Sequence, residues 1–489
     1  MSVGGKKLAS PLGTEGTAWM WQVAGKVSVK NLRTVVKLHD LTGFDGRCDA
    51  IYFTTEEGRI PPFDMKQLEA FRWKALGFPD EAPLAGQYDL VVVGAGIAGM
   101  SAAVSAARLG CKVALINDRP VIGGNNSSEI RVHLGGRIEE GVYKELGGLQ
   151  KEFGPEKGGN AQPAENYEDQ KKLDWLANEK NVTLFLNYRA IGVTKDGNKI
   201  TSVTARHIES GKEQKFEAPL FSDCTGDGTI GYLAGADFRM GREAKSEFGE
   251  SIAPEKADKM TMGASVQWYS VDNGRSSSFP DFSYGVEFND KNCEKVLMGE
   301  WTWETGMNLD QIKDFERIRD YGMLVVYSNW SYLKNQMKEN TQYRNRKLGW
   351  VAYVAGKRES RRLMGDYILK EDDITKNVTH EDASFATTWS IDLHWQDPAN
   401  SAHFPGNEFK AVTKHILIHP YPVPYRCLYS RNIDNLFMAG RNISVTHVAL
   451  GTVRVMRTTG MMGEVVGMAA SLCKKYGVEP RKGYQSYLE

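Results

Sequence analysis

The apolar, largely β-branched run Leu90-Val91-Val92-Val93 feeds straight into Gly94-Ala95-Gly96-Ile97-Ala98-Gly99, and the alanine-rich residues 100–109 follow. Strand, GxGxxG turn and helix in that order admit very few folds. Gly94 permits the tight turn, Gly96 lets backbone approach a pyrophosphate, and Gly99 lets the helix pack closely on the strand. The helix start then offers free N–H groups and roughly half a positive charge to phosphate. A second apolar strand is predicted over residues 112–116. Together these predict a dinucleotide-binding turn.

A chain of 489 residues exceeds one compact core, so two or three domains are expected. The formal net charge is +0 and the basic residues are scattered, which argues against nucleic acid or an anionic membrane as the main partner. No apolar run reaches the roughly 18 residues that span a bilayer. Residues 1–13 carry Lys6 and Lys7 but no apolar stretch, so they do not read as a signal peptide. Cytoplasm is therefore the default compartment for the chain as written, with the periplasm open if a leader precedes it. The six cysteines form no CxxC pair, which disfavours a dithiol, zinc or iron–sulfur site, and no metal is expected. His39-Asp40-Leu41-Thr42-Gly43-Phe44-Asp45-Gly46-Arg47-Cys48-Asp49 is rich in carboxylates, as calcium sites are, but Asp and Gly also build turns, and a turn is the expectation.

Residues 1–86 read as a short β-rich segment and linker, with strand-like stretches at 17–29, 34–39 and 49–54 and a helix over 63–76. Such a piece cannot cover its own edges, so it is expected either to dock on the main body or, the favoured reading, to be the end of a larger sandwich. From residue 87 the pattern is α/β. Helices are predicted around 142–153 and 166–180, a strand over 182–187, hairpin material over 195–216 and a strand over 220–224. After about residue 261 the chain turns aromatic and mixed, then returns to a strand at 435–438 and a helix at 457–474. The expected fold is a Rossmann-like domain (87–260 and 431–489) split by an inserted α+β substrate domain (261–430).

At the end of the second strand, where a nicotinamide site commonly has an acid on the ribose, stand Asn117 and Asp118. Directly after comes Pro120-Val121-Ile122-Gly123-Gly124-Asn125-Asn126-Ser127-Ser128-Glu129. A glycine pair followed by Asn125 and Ser127 can lay N–H and hydroxyl donors along a pyrophosphate and a ribityl chain, which points to FAD. Asp223-Cys224-Thr225-Gly226-Asp227-Gly228-Thr229-Ile230-Gly231 matches GxGxxG by letter, but the strand–helix–strand unit that a nicotinamide site needs does not follow. Thr225, Gly226 and Asp227 are therefore expected to close over the same cofactor. Near the C-terminus, Ala439-Gly440-Arg441 ends a strand, and Gly451-Thr452-Val453-Arg454 precedes the last helix. A helix start with a nearby arginine suits the side of a reduced flavin where negative charge gathers. The expected cofactor set is Gly94, Gly96, Ala98, Gly99, Asn117, Asp118, Gly123, Gly124, Asn125, Ser127, Thr225, Gly226, Asp227, Gly440, Arg441, Thr452 and Val453.

Residues 88–474 resemble the FAD-dependent oxidoreductases of the glutathione-reductase-like superfamily. The resemblance rests on residues 123–136 (GGNNSSEIRVHLGG), 223–243, 356–366 (GKRESRRLMGD) and 435–456. The first of these is also similar to the loop of the fumarate-reductase group, with a longer spacer. Where succinate dehydrogenase carries a histidine that attaches FAD covalently, this chain has Glu129, so the resemblance implies non-covalent FAD. Residues 17–54 faintly resemble the end of a galactose-binding-type sandwich, which hints at carbohydrate.

Flavin chemistry asks the protein to hold a hydride donor or acceptor and to move one proton. Histidine suits the proton. Among the nine histidines, His447, His133 and His394 are the candidates, with Arg454 beside the ring. Arg358, Arg361 and Arg362 read as a charged helix face, some of them pairing with Glu359 or Asp366. Glu300-Trp301-Thr302-Trp303-Glu304 alternates like a strand, its tryptophans serving either the core or a sugar platform. Three functions follow: oxidation of a CH–OH group of a sugar, glycoside or polyol; fumarate-reductase-like reduction of an activated C=C, using Arg441, Arg454 and Arg457; or a carbohydrate-binding protein with a structural flavin. A small-molecule substrate is expected. The electron acceptor stays open, as does a homo-oligomer.

Overall fold

In this computed structural model, which describes residues 1–41, 47–282 and 284–487, the chain forms two compact units, Met1–Glu81 and Ala82–Glu489. Residues 42–46, inside the carboxylate-rich stretch, lie outside the described residues.

The first unit holds three two-residue antiparallel strands, Ser2–Val3 between Lys6–Lys7 and Val36–Lys37, and a helix, Met65–Ala75, capped by Asp64. Among the described residues no ladder forms at 17–29 or 49–54. Tyr52 and Phe71 meet edge to face, their ring centroids 5.3 Å apart.

The second unit is built on a five-stranded sheet in the order Leu436–Met438, Leu220–Asp223, Leu90–Val93, Val113–Asn117, Val182–Leu186, every pair parallel. Leu90–Val93 and Val113–Asn117 are wholly buried, as unbroken apolar runs in a parallel sheet must be. The strand Leu436–Met438, distant in sequence, lies next to Leu220–Asp223, so the chain leaves this Rossmann-like sheet and returns to it. A second sheet pairs Leu84–Gln87, Glu213–Glu217, Lys199–His207 and Tyr188–Asp196 in that order. The excursion has a core of its own, where Trp330 of the helix Phe315–Asn335 packs with Trp268 and Trp303.

Helix Ile97–Arg108 packs on the parallel sheet, and the long helix Met456–Tyr476 packs on that helix through small residues. A Cβ on Gly463 would lie 2.1 Å from the Ala98 carbonyl oxygen, and one on Gly467 would lie 2.6 Å from that of Ala102. The backbones therefore meet without side chains between them.

Several local expectations change. The helix expected over 142–153 begins only at Gly148, because Gly147 adopts φ 100° and starts the turn there. The arginines of 356–366 do not line a helix face; the segment holds two short strands, Gly356–Lys357 and Arg362–Leu363. Arg362 does bond to Glu359, and fully buried. The tryptophans of 300–304 do not share one strand face. Trp303 is packed in the core, its ring 5.4 Å from Trp268, whereas Trp301 meets the His394 ring edge-on at 5.3 Å.

The packed helix carries a buried acid. Glu464 accepts the Gly147 N–H at 3.1 and 3.2 Å, and burial pushes its carboxyl up to about 7. A folded-state value above the unfolded one binds extra protons in the fold, so stability is fullest below about pH 4.5 and is lost as pH rises through about 7. Glu464→Gln keeps an acceptor and removes the titration. It should narrow the fall in melting temperature between pH 5 and pH 8 by the equivalent of roughly 1–3 kcal/mol, read by thermal denaturation at both pH values; an unchanged fall would refute this role.

Candidate active site

Two glycine turns meet at the carboxyl end of the parallel sheet. Gly94, at φ 101°, ends the first strand, and a Cβ there would lie 2.4 Å from the Cys224 carbonyl oxygen. Gly99 sits over this turn so closely that its Cβ would fall 1.8 Å from Gly94 O. Gly96 pairs with Gly123 in an isolated parallel bridge, and the Gly123 N–H donates to Ala95 O at 2.8 Å. Asn117 locks this junction: its Oδ1 accepts the Ala95 N–H at 3.1 Å and its Nδ2 donates to the carbonyls of Arg119 and Val121. Asp118 is exposed beside it.

This junction fits the phosphates of a dinucleotide. The helix after Gly96 has no side-chain cap and no acid in its first turn, so its first N–H groups are free for an anion. A Cβ on Gly96 would meet nothing nearer than Gly124 Cα at 3.9 Å, which leaves open space above the turn. Ala98 faces the last helix, against Gly463. Further along, Asn125 Nδ2 donates to Lys357 O at 3.0 Å, and the Ser127 carbonyl accepts from the Arg131 N–H at 2.8 Å.

The segment after the Leu220–Asp223 strand is held from within. Buried Asp223 accepts from the Thr225 N–H and hydroxyl and from the Gly231 N–H, and Thr225 Oγ1 accepts in turn from Asp227 N and Thr229 N. Asp227 meets Lys357, Arg441 at 3.0 Å and the Ser360 hydroxyl at 2.7 Å. Burial raises its carboxyl, but Lys357 and Arg441 outweigh that and hold it well below the usual range. Gly226, at φ 71°, leaves room for the Arg441 guanidinium, which a Cβ would approach to 2.5 Å. Arg441 Nε is buried without a partner in the protein. Gly440, at φ 117°, donates its N–H to Met462 Sδ.

The histidines divide into two groups. His133 stands on an exposed loop, its Nδ1 accepting the Gly159 N–H at 3.3 Å, and burial together with Arg457 lowers its pKa. It does not border the cavity that His447 and His394 share. That cavity, about 150 Å³, is lined by His447, His394, Arg242 and Gln396, with Thr261, Trp395, Met260 and Met307 completing its wall.

His447 opens a short helix whose N-cap, Thr446, accepts the Ala449 N–H. The His447 N–H donates to Glu243 at 2.8 Å, and its Nδ1 lies 2.9 Å from Glu359. A carboxylate accepts only, so Nδ1 carries the proton and Nε2 is the nitrogen left for a ligand. Burial raises the Glu359 carboxyl, but His447 and Arg362 bring it below its ordinary value, and Arg362 also holds Glu243 at 2.7 Å. His394 repeats the device from the strand Ile391–Gln396: its Nδ1 lies 2.6 Å from Glu304. Arg358 and His394 hold that carboxyl at about 2 against burial.

Arg454 is turned to structure, donating to Asp392 O at 2.9 Å with Oδ2 at 3.3 Å. Thr452 donates to Trp389 O and, with Val453, is buried in the same short helix. In the sequence Glu359 was read only as an arginine partner, and Glu304, Glu243 and Arg242 were not read as site residues. The one available signal was the dense charge of residues 357–362.

Such a fold and such a phosphate junction define a flavin-type oxidoreductase with a Rossmann-like domain. The model of the FAD dependent oxidoreductase family matches residues 89–482, and the chain belongs to that family: it is an FAD-dependent enzyme. No curated protein matches the chain. Among solved structures it is similar to the Sdh1 complex of Mycobacterium smegmatis in its apo form, at 12% identity over 81% of this chain and 69% of that one, TM-score 0.35. It is also similar to a geranylgeranyl bacteriochlorophyll reductase-like protein of Thermoplasma acidophilum, at 14% identity over 80% and 79%, TM-score 0.32. The glycerol-3-phosphate dehydrogenase of Bacillus halodurans complexed with FAD matches at 14% identity over 39% of this chain and 41% of that one, TM-score 0.23. Among the described residues no helix is long and apolar enough to cross a membrane, and no cluster of metal-ligating side chains occurs.

Gly96→Val tests the phosphate junction. A Cβ at this position meets nothing nearer than 3.9 Å, and the variant should fold with the circular dichroism of the parent and purify without the yellow flavin colour. A variant that keeps stoichiometric flavin would remove Gly96 from the site.

Proposed function

We propose that the chain oxidises a CH–OH group of a sugar, glycoside or polyol, with His447 as the base. The observation that carries this reading is the His447–Glu359 pair: a buried carboxylate holds Nδ1 at 2.9 Å, and the ring borders a cavity of about 150 Å³. In that arrangement Nε2 accepts the hydroxyl proton, and Glu359 and Arg362 hold the ring in place as charge develops on it. Bound FAD supplies the hydride acceptor. The glycine turns at Gly94–Gly96 and Gly123–Gly124, with Asn125 and Ser127, would hold its phosphates and ribityl chain. Thr225, Gly226, Asp227, Gly440 and Arg441 would close over it from the neighbouring strands. Binding is proposed to be non-covalent.

In this reading residues 87–260 and 431–489 form the flavin-binding part and residues 261–430 the substrate part, which contributes Glu304, Glu359 and His394. Reduction of a C=C in a carboxylic acid would need arginines free to clamp carboxylate. Arg441 is engaged by Asp227 and Arg454 by Asp392, and Arg457, which no carboxylate pairs among the described residues, does not line the cavity beside His447, which favours the alcohol.

His447→Ala is expected to retain FAD and to slow anaerobic flavin reduction roughly 10²–10⁴-fold. Stopped-flow bleaching with a panel of sugars and polyols provides the measurement. Parent enzyme that no alcohol reduces, but that reoxidises from dithionite with fumarate-like acids, would overturn the proposal.

A further inference from the structure

The cavity beside His447 contains a second histidine that single-proton chemistry does not use. His394 Nδ1 is 2.6 Å from buried Glu304, so it too is fixed with Nε2 left over. That nitrogen's nearest carboxylate oxygen, Asp392 Oδ1, stands at 3.5 Å, too long for a good hydrogen bond. His394 is itself 6% exposed and lines the cavity, so its Nε2 is the anchor there for a ligand hydroxyl.

Charge narrows the ligand. Each cation around the cavity is already matched: Arg242 by Asp258, with Nε 3.0 Å from Oδ1, Arg358 by Glu304 at 3.4 Å, Arg362 by Glu359 and Glu243, and Arg454 by Asp392. An anionic substrate would find no uncommitted guanidinium there, so a neutral one is favoured. Size narrows it further, because a cavity of about 150 Å³ is of the order that accommodates a six-membered ring.

We infer that the substrate is a neutral molecule bearing at least two hydroxyls, one bound by His447 and a second by His394, so that the His394–Glu304 pair selects diols over simple alcohols. This rests on the reading of His447 as the base. At the first hydroxyl an O–H and a C–H bond break and a C=O bond forms: the proton goes to His447 Nε2 and the hydride to the bound flavin. The second hydroxyl stays intact and the product is a hydroxyketone. His394 binds and orients, and takes no proton in the balance.

The test uses the FAD-loaded protein with 1,2-cyclohexanediol and cyclohexanol. Calorimetry on dithionite-reduced enzyme, which cannot turn over, reads binding alone; anaerobic bleaching of oxidised enzyme reads chemistry. The diol should bind at least about 100-fold more tightly than the mono-alcohol. His394→Ala should bring the two within about threefold, raising KM more than it lowers kcat, and His394→Gln should restore part of the preference. Flavin content and circular dichroism certify that each variant is folded. Equal binding of the two alcohols, a preference that survives His394→Ala, tighter binding of cyclohexanecarboxylate than of the diol, or no binding of the diol at millimolar concentration would each overturn the inference and leave the His447 reading to its own bleaching test. A His394-dependent diol preference with no alcohol able to bleach the flavin would support diol recognition and sink oxidation by His447.

Discussion

Direct backbone contact between two glycine turns is the constraint from which the second unit is built. Gly94 can end its strand only at positive φ, and Gly99 can follow only because neither residue has a side chain. That contact seats the helix Ile97–Arg108 on the sheet, and Gly463 and Gly467 then seat the last helix on the first. The same approach brings Gly123 beside Gly96, held by Asn117. Any Cβ at Gly94 or Gly99 would push the helix off the strand and open the pyrophosphate cradle with it. Packing and ligand geometry are one feature here.

The end that carries His447 and His394 depends on a different cost. Glu304, Glu359, Glu243 and Arg362 are buried almost completely. Taking such charges out of water is repaid only when each is paired and hydrogen-bonded, and breaking one buried pair typically costs about 3–5 kcal/mol. The pairing is thorough: Glu359 meets His447, Arg362 and the Met262 N–H, and Glu304 meets His394, Arg358 and the Gly263 N–H. A network so committed has little freedom to rearrange. Both imidazoles are therefore held in one orientation, each with Nδ1 on its carboxylate.

The phosphate end was legible in the sequence because it is local. Strand, turn and helix lie within twenty residues, and GxGxxG has few other uses in that setting. The strands expected at 220–224 and 435–438 were legible for the same reason: short stretches containing Leu-Phe and followed by Gly-containing turns. The pairing of His447 with Glu359 and of His394 with Glu304 was not, since each joins residues about ninety apart through a tertiary contact. Residues 357–362 show the limit well. Their charge looked like a helix face, but these residues lie in two short strands and the link between them, and Lys357 meets Asp227, Arg358 meets Glu304, and Glu359 and Arg362 meet each other. Alternation and charge density do not distinguish a solvated surface from a buried network; burial does.

Asn117 shows how the two ends are joined. An acid in its place would serve a ribose hydroxyl, but its carboxylate could not donate to the carbonyls of Arg119 and Val121 as the Asn117 amide does. The amide thus trades a ligand contact for rigidity, fixing the loop that leads from Val121 into Gly123 and Gly124. Loop rigidity continues through Asn125, which ties to Lys357 O, and Lys357 in turn meets Asp227. Beside Lys357 in the chain, Arg358 reaches Glu304 and Glu359 reaches His447. One covalent stretch, Lys357-Arg358-Glu359, therefore touches the phosphate junction at one end and the carboxylate of one histidine and the other histidine itself at its next two residues.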